Sequence, residues 1–246
     1  MELFLDRDSA RPVHLQFSAL LRERIYSQEW GAGDKMPSEH DFMEMYGVSR
    51  GTVQKGIQIL VDEGLVTREK GRGTYVSKPD IEQMSGSSLL SFAESLRMQD
   101  IDFDTKVLRM EIVPANKTCA KKLGVPENSP VLYLQRVRST AGGPLIFMES
   151  RLNLLSCPGL DNYDYSTRTL FSAIEETSHH KIGYAKRRYG ARAAGKVRGS
   201  IFGCDEKAPV LNIDQVIYLD NNVSSEWGNM WLPTNRFVMV SVLQRI

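Results

Sequence analysis

The stretch from Tyr46 to Val66 limits the fold more than any other part of the chain. It is YGVSRGTVQKGIQILVDEGLV: a glycine and a serine, then a run with regularly spaced apolar residues, then a closing glycine. Ser49 can accept a hydrogen bond from the first turn of a helix, and Gly64 can adopt the left-handed conformation that ends one. The apolar positions between them recur at helical spacing: Val53, Ile57, Leu60 and Val61. The stretch therefore predicts a helix that begins after Ser49 and ends before Gly64.

A second short helix is predicted just before it. Ser38 followed by Asp41 is typical of a capping box, and Phe42, Met45 and Tyr46 form an apolar stripe behind it. Two helices joined by a glycine-containing turn are what a helix-turn-helix requires. The segment LVTREKGRGTYV follows and predicts two short strands around a Gly-Arg-Gly turn.

The polar face of the predicted helix carries residues suited to DNA. Arg50 and Gln54 are one turn apart, opposite the apolar stripe. Arginine suits guanine edges and glutamine adenine edges, while Ser49 and Thr52 can reach phosphates. Residues 50–78 hold six basic side chains against three acidic ones, an excess that attracts a phosphate backbone. Each feature alone is more typical of a solvated helix face or an ordinary hairpin than of a DNA-binding surface.

In combination, residues from about 12 to 76 resemble the winged helix-turn-helix of GntR-family bacterial transcription regulators. The matching segments, in the family's order, are PVHLQ, GDKMPSEHDF, YGVSRGTVQKGIQILVDEGLV and GRGTYV. The family usually has arginine at the position of His40 and often has arginine at the position of Gln54. Gly56, two residues after Gln54, weakens the helix. The predicted DNA-binding residues are Ser38, His40, Ser49, Arg50, Thr52, Gln54, Lys55, Lys70, Gly71 and Arg72.

The rest of the chain alternates predicted strands with predicted helices. Apolar runs typical of strands cover 105–113, 130–140, 144–154, 209–219 and 237–246. Helical stretches cover 117–123, 169–176 and 196–202. We therefore expect an α+β chain: a DNA-binding domain at 1–78, a polar linker at 79–88, and a second domain at 89–246 built on an antiparallel sheet with helices.

Charged residues interrupt the apolar strands of this second domain. Arg136 and Arg138 are two residues apart, so both point from one face of their strand, and Glu149 on the hairpin partner could share that face. Two guanidinium groups suit a carboxylate or a phosphate. An ion-paired outer sheet face is an equally good interpretation of this pattern alone.

Residues from about 91 to 246 resemble a UTRA domain, the effector-binding module of the HutC subfamily, whose fold is similar to chorismate lyase. The matching segments are SFAE, LQRVRSTAGGPLIFMES, TRTLFSAIEE, APVLNIDQVIY and SEWGNMWLPTNRF. Relatives that bind amino-sugar phosphates commonly have a tyrosine where Phe171 stands, so the resemblance implies a differently decorated acidic ligand. It implies effector contacts from Ser91, Phe92, Arg136, Arg138, Glu149, Thr169, Phe171 and Glu226.

The sequence lacks the patterns typical of membrane proteins, metal-binding proteins and enzymes. No run approaches the roughly 18 apolar residues of a membrane-spanning helix. Cys119, Cys157 and Cys204 lie far apart without metal-ligand spacing, which favours free thiols in a reducing cytoplasm. We find no nucleophile–base pair and no phosphate loop, so we expect no catalytic residues, no metal and no cofactor.

These observations predict a dimeric, effector-responsive transcription regulator, with repression favoured over activation. It would bind a palindromic operator in double-stranded DNA, be released by a small acidic metabolite such as a sugar phosphate or carboxylate, and stay in the bacterial cytoplasm, at the nucleoid when bound. Two alternatives remain at this point. The second domain could serve only to form the homodimer, or it could be a small-molecule enzyme fused to a DNA-binding domain.

Overall fold

A computed structural model of the protein describes residues 5–7, 9–78, 81–85 and 89–241. The chain divides into two compact units, Met1–Ile81 and Glu82–Ile246. Residues 79, 80 and 86–88 of the predicted linker lie outside the described residues, and Ile81–Ser85 between them forms a strand. The domain bounds given above therefore stay predictions.

The first unit contains the predicted helix-turn-helix and hairpin. Its elements are α1 Val13–Tyr26, α2 Glu39–Tyr46, α3 Arg50–Asp62, β1 Val66–Glu69 and β2 Gly73–Val76. Ser38 begins α2 with the predicted capping box: its Oγ accepts the backbone N–H of Asp41 at 3.2 Å, and the Asp41 carboxylate accepts the N–H of Ser38 at 2.9 Å. Gly47 ends that helix in the left-handed conformation, with φ of 60°. The two strands pair antiparallel, with Val66 opposite Val76.

One apolar core holds these elements together. Phe17 of α1 and Phe42 of α2 are completely buried and meet edge to face at 5.5 Å. Val53, Ile57 and Leu60 of α3 are buried against them. Because this stripe faces inward, the remaining side of α3 is turned to solvent.

Gly56 lies where α3 crosses α1. The glycine is buried, and a Cβ atom placed on it would lie 2.5 Å from Cδ1 of Phe17 and 3.3 Å from the carbonyl oxygen of His14. The sequence suggested only a residue that weakens a helix. In the fold, its missing side chain lets the two helices approach each other closely.

We expect Gly56→Ala to destabilise the protein by about 1 to 3 kcal/mol through overpacking, although alanine is intrinsically the better helix former. Gly51→Ala in the same helix is the matched control, because no atom lies within 4 Å of the added Cβ. That variant should gain up to about 1 kcal/mol. Chemical denaturation of both full-length variants gives the comparison, and equal stabilities would refute the close helix crossing.

The second unit is built on an antiparallel sheet. Among the described residues the sheet has six strands in the order β4-β5-β6-β9-β8-β7. They are β4 Asp104–Pro114, β5 Pro130–Thr140, β6 Gly143–Asn153, β7 Ile182–Ala193, β8 Pro209–Leu219 and β9 Ser224–Pro233. The helices are α4 Phe92–Met98, α5 Lys117–Leu123, α6 Leu170–Ser178 and α7 Gly195–Phe202, with a short 3-10 helix at Leu160–Asn162. Strands β3 Ile81–Ser85 and β10 Phe237–Ser241 form a separate two-stranded sheet.

This architecture confirms the predicted α+β fold, but β3, α4, β7, β9 and the 3-10 helix were not predicted, and β3 lies where a linker was expected. Strand β7 reads IGYAKRRYGARA and lies at a sheet edge, where charged side chains replace the apolar alternation of a half-buried strand. Strand β9 reads SSEWGNMWLP, whose glycine, asparagine and glutamate are uncommon in strands. Helix α4 is only seven residues long, too short for a periodic pattern.

The two faces of the sheet carry different side chains. The front face carries Leu134 and, further along the chain, Arg136 and Met148; its apolar part packs against Tyr165 and α6. The back face carries Gln135 and Glu149, and Val131 on this side packs against α5. Side chains alternate between these faces along every strand.

Candidate DNA-binding and ligand-binding sites

The outward side of α3 presents two of the predicted base-reading residues together. Both side chains are exposed, and both donate to the same carboxylate oxygen: Arg50 Nε lies 3.2 Å and Gln54 Nε2 lies 3.0 Å from Oε2 of Glu39. Glu39 is the first residue of α2, and sequence analysis missed it. It holds the two donors side by side.

The remaining predicted residues of the helices are all at the surface. Ser38 and Ser49 cap α2 and α3, and each accepts a backbone N–H from its own helix. Ser49 Oγ also lies 3.0 Å from Oγ1 of the half-buried Thr52. His40 and Lys55 are exposed. Ser38 keeps its hydroxyl proton available as a donor, whereas in the Ser49–Thr52 pair either hydroxyl could be the donor.

The hairpin is tied to α3 by an arginine that sequence analysis did not single out. Arg68 of β1 donates to the carbonyl oxygen of Gln54 at 3.3 Å and to Oε1 of Gln58 at 3.2 Å. At the tip, Lys70, Gly71 and Arg72 are exposed, and Gly71 has φ of 76°. The hairpin and the helix therefore form one connected surface, in the positions that a wing and a recognition helix need.

The second candidate site is a cavity on the front face of the sheet. Seven of the eight predicted effector residues line it, joined by residues that sequence analysis missed: Ser150, Arg187, Gln215 and Met230 among them. Ser91 and Thr169 are the N-terminal caps of α4 and α6. The enclosed space, its open mouth included, is about 460 Å³.

Two buried guanidinium groups dominate the charge of this cavity. Arg136 is 4% exposed and Arg138 is 5% exposed, and no described carboxylate lies within 4 Å of either. Nε of Arg136 has no hydrogen-bond partner, while Nε of Arg138 donates to Thr105 Oγ1 at 3.2 Å. Aromatic rings supply further contacts, with Arg136 5.7 Å from Tyr165 and Arg138 4.6 Å from Phe103.

This burial is electrostatically unfavourable in the absence of an anion. Loss of hydration lowers the pKa of Arg136. Burial, and then the positive charges of Arg136 and Arg97, lower the pKa of Arg138 to about 9. With a pKa of about 9, Arg138 remains charged at neutral pH. The cavity therefore holds three guanidinium groups, Arg136, Arg138 and Arg187, against the single carboxylate of Glu226, whose charge partly opposes the lowering of the Arg136 pKa.

A chain of hydrogen bonds crosses the cavity beside these arginines. Glu226, 3% exposed, accepts from Ser150 Oγ at 2.6 Å and from Gln215 Nε2 at 3.3 Å. Gln215 Oε1 in turn accepts from Arg187 Nε at 2.9 Å. Gly228 makes room for the carboxylate, since a Cβ there would lie 2.9 Å from Glu226 Oε1. The remaining lone pairs of Glu226 are suited to a hydroxyl or amino group of a ligand.

Glu149 lies away from this cavity, and the expectation that it shares the face of Arg136 is wrong. In the observed register Arg136 is opposite Met148, while Glu149 is opposite Gln135. Directly opposed residues share a face, so Glu149 belongs to the back face. There it accepts from Tyr133 Oη at 2.9 Å and from Trp231 Nε1 at 3.2 Å.

The described residues contain no helix long and apolar enough to cross a membrane. Within the same residues, no three histidine, cysteine, aspartate or glutamate side chains are grouped as a metal site would require. Cys119 and Cys157 are buried and Cys204 is half-buried, each as a free thiol. Burial raises the pKa of all three thiols.

Comparison with known proteins finds a family match for each of the two parts of the chain that carry these sites. Residues 15–76 match the family model of bacterial regulatory proteins, gntR family, and residues 98–238 match the UTRA domain. The HTH-type transcriptional repressor NagR of Bacillus subtilis is 28% identical over 242 residues, covering 98% of this chain and 99% of that protein. The mannosyl-D-glycerate transport/metabolism system repressor MngR of Escherichia coli is 26% identical over 205 residues, covering 83% and 81%.

A solved structure supports the same assignment of the fold. The crystal structure of PhnF from Mycobacterium smegmatis superimposes with a TM-score of 0.64 at 23% identity, covering 94% of this chain and all of that one. The UTRA match alone spans more than half of the 246 residues. The chain therefore belongs to the gntR family of bacterial regulatory proteins, in its HutC-type branch that carries a UTRA domain.

Proposed function

We propose that the protein is a transcription repressor that binds a palindromic operator as a homodimer and leaves it when a small acidic metabolite fills the front-face cavity. The observation that carries this proposal is the pair of buried arginines, neither of which forms an ion pair with a described carboxylate, in a cavity whose one carboxylate is Glu226. An uncompensated buried charge is costly, so a fold retains one where a ligand supplies the opposite charge.

The DNA contacts follow from the exposed side of α3 and the hairpin tip. Arg50 and Gln54 would read base edges, and the capping serines with Lys70 and Arg72 would hold phosphates. His40, Thr52, Lys55 and Gly71 complete the proposed interface. A two-fold dimer presents two such surfaces to symmetric half-sites.

The chemical class of the ligand follows from the cavity. Arg136 and Arg138 would bind its carboxylate or phosphate, and Glu226 would accept a hydrogen bond from a hydroxyl group, as in a sugar phosphate or a sugar acid. Phe92 and Phe171 offer apolar cover beside Ser91 and Thr169. The relative MngR is named for mannosyl-D-glycerate, which is itself a carboxylate.

Release from DNA requires that the ligand bind one arrangement of the protein more tightly than another. A ligand can shift this equilibrium only by its differential affinity for the two arrangements. A difference of about 2 to 3 kcal/mol weakens operator binding roughly 30- to 150-fold. We place the protein in the bacterial cytoplasm, with the DNA-binding domain at 1–78 and the effector and dimerisation domain at 89–246.

The test is a thermal-shift screen of the full chain against sugar phosphates, sugar acids and small carboxylates, followed by operator mobility shifts with each hit. A ligand at a hundredfold excess over Kd stabilises the protein by about 2.7 kcal/mol. We expect a hit that also releases the operator and is recovered chemically unchanged. If no anion in the library stabilises the protein, the cavity is not an effector site and the second domain only dimerises; turnover of a hit would show an enzyme.

A further inference from the structure

Strand β4 is an edge of the six-stranded sheet, with β5 on one side and no described strand on the other. An edge strand presents unpaired N–H and C=O groups that can template pairing with another chain. Two large apolar side chains stand exposed on β4, Leu108 at 43% and Ile112 at 53%. These features make the edge a candidate protein-binding surface.

The sequence of β4 is complementary to itself when a second copy runs antiparallel. With Met110 placed opposite Met110 of a partner, Arg109 faces the partner's Glu111, and Glu111 faces the partner's Arg109. In the same register Leu108 faces the partner's Ile112, so the two exposed apolar residues cover each other. Opposite charges and apolar side chains in directly opposed positions each stabilise a strand pair.

Neighbouring registers lack this match. Moving the symmetry axis to Arg109 or to Glu111 brings like charges face to face, which is destabilising. Pairing with β5 is regular from Arg109 to Pro114, and Leu108 lies in the irregularity between Val107 and Arg109, at the margin of that stretch. Met110 lies within that stretch.

The opposite edge of the sheet is unsuited to self-pairing. Strand β7 carries four cations and no acidic residue, namely Lys186, Arg187, Arg188 and Arg192. Two antiparallel copies of β7 would bring positive charges face to face when the two-fold axis lies at any residue from 186 to 190 or at Arg192. The charge patterns of the two edge strands therefore favour β4 over β7 as the edge that a second copy of this chain can join.

We propose that two copies of the chain pair through β4, with Met110 at the two-fold axis, so that their sheets form one continuous antiparallel sheet. This inference rests on the dimer of the proposed function and adds its interface and register. Arg109 and Glu111 point to the back face, where they already form an ion pair of 2.5 Å within one chain. Pairing lets each group contact both its own and the partner's opposite charge.

The experiment measures the dimer dissociation constant of full-length charge variants by analytical ultracentrifugation. Arg109→Glu and Glu111→Arg each turn both cross-strand ion pairs into like-charge pairs, so each variant alone should dimerise on the order of 100-fold more weakly. Mixing the two variants restores opposite charges on both sides and should recover a dimer. The double variant R109E/E111R should also recover it.

Arg188→Glu on β7 is the matched control, because it reverses an exposed arginine on the other edge and should leave dimerisation unchanged. A dimer of undiminished affinity in Arg109→Glu would overturn the β4 interface while leaving the proposed dimer in place. Failure of the mixture to dimerise would overturn the register. A monomeric wild-type chain at micromolar concentration would instead overturn the dimer of the proposed function.

Discussion

Replacing Arg50 with alanine is expected to weaken specific operator binding at least 30-fold. One bidentate contact between arginine and a base contributes about 1 to 3 kcal/mol of discrimination, and a dimer would lose two of them. Because Arg50 is exposed and contributes no core packing, the variant should fold normally. Mobility shifts with operator and unrelated DNA at one salt concentration give the two affinities, and their ratio should fall.

A control must separate this loss from a general loss of positive charge. Lys121→Ala removes an exposed cation from α5 in the second unit and should leave the ratio unchanged. Both variants should retain any thermal stabilisation by the ligand. Undiminished operator discrimination in Arg50→Ala would remove α3 from the role of recognition helix.

Replacing Arg136 with methionine is expected to make the ligand-free protein more stable while abolishing its response to the ligand. The pKa of Arg136 is lower in the folded protein than in the unfolded chain, so its charged form costs folding free energy at neutral pH. That cost is relieved only as the pH rises above the folded pKa. Methionine is similar in length and uncharged, so we expect a gain of about 1 to 3 kcal/mol.

The two effects of this variant have opposite signs, which a merely structural arginine would not produce. Thermal unfolding should show a higher midpoint without ligand and no shift with a ligand that stabilises the wild type. Arg188→Met is the control, because that side chain is 81% exposed and its loss should change neither quantity. A lower midpoint without ligand would mean that Arg136 stabilises the fold and is not held for an anion.

Local patterns were sufficient for most of the first unit. The serine caps, the apolar spacing of α3 and the glycine turn act within a few residues of one another, so the helices and hairpin could be predicted from sequence. The roles of Glu39 and Gly56 could not. Glu39 matters because α2 and α3 meet at a particular angle, and Gly56 because α1 crosses above it.

Several features of the second unit could not be predicted from sequence patterns. Strand β7 was missed, and with it Arg187, because an edge strand carries charges where a central strand carries apolar side chains. The hydrogen bond from Gln215 to Glu226 depends on the pairing of β8 with β9, and no local sequence pattern indicates it. Most of the cavity residues named in advance came from family resemblance.

The sequence by itself determined the identity and order of the elements that local hydrogen bonding and periodicity specify, and it placed Arg136 and Arg138 on one face. Only the tertiary structure decided what shares that face with them. It assigned Glu226 and Arg187 to the front and Glu149 to the back. The physical reason is strand register: a residue's side is set by its own strand, but its neighbours are set by long-range pairing, where a shift of one position exchanges the faces.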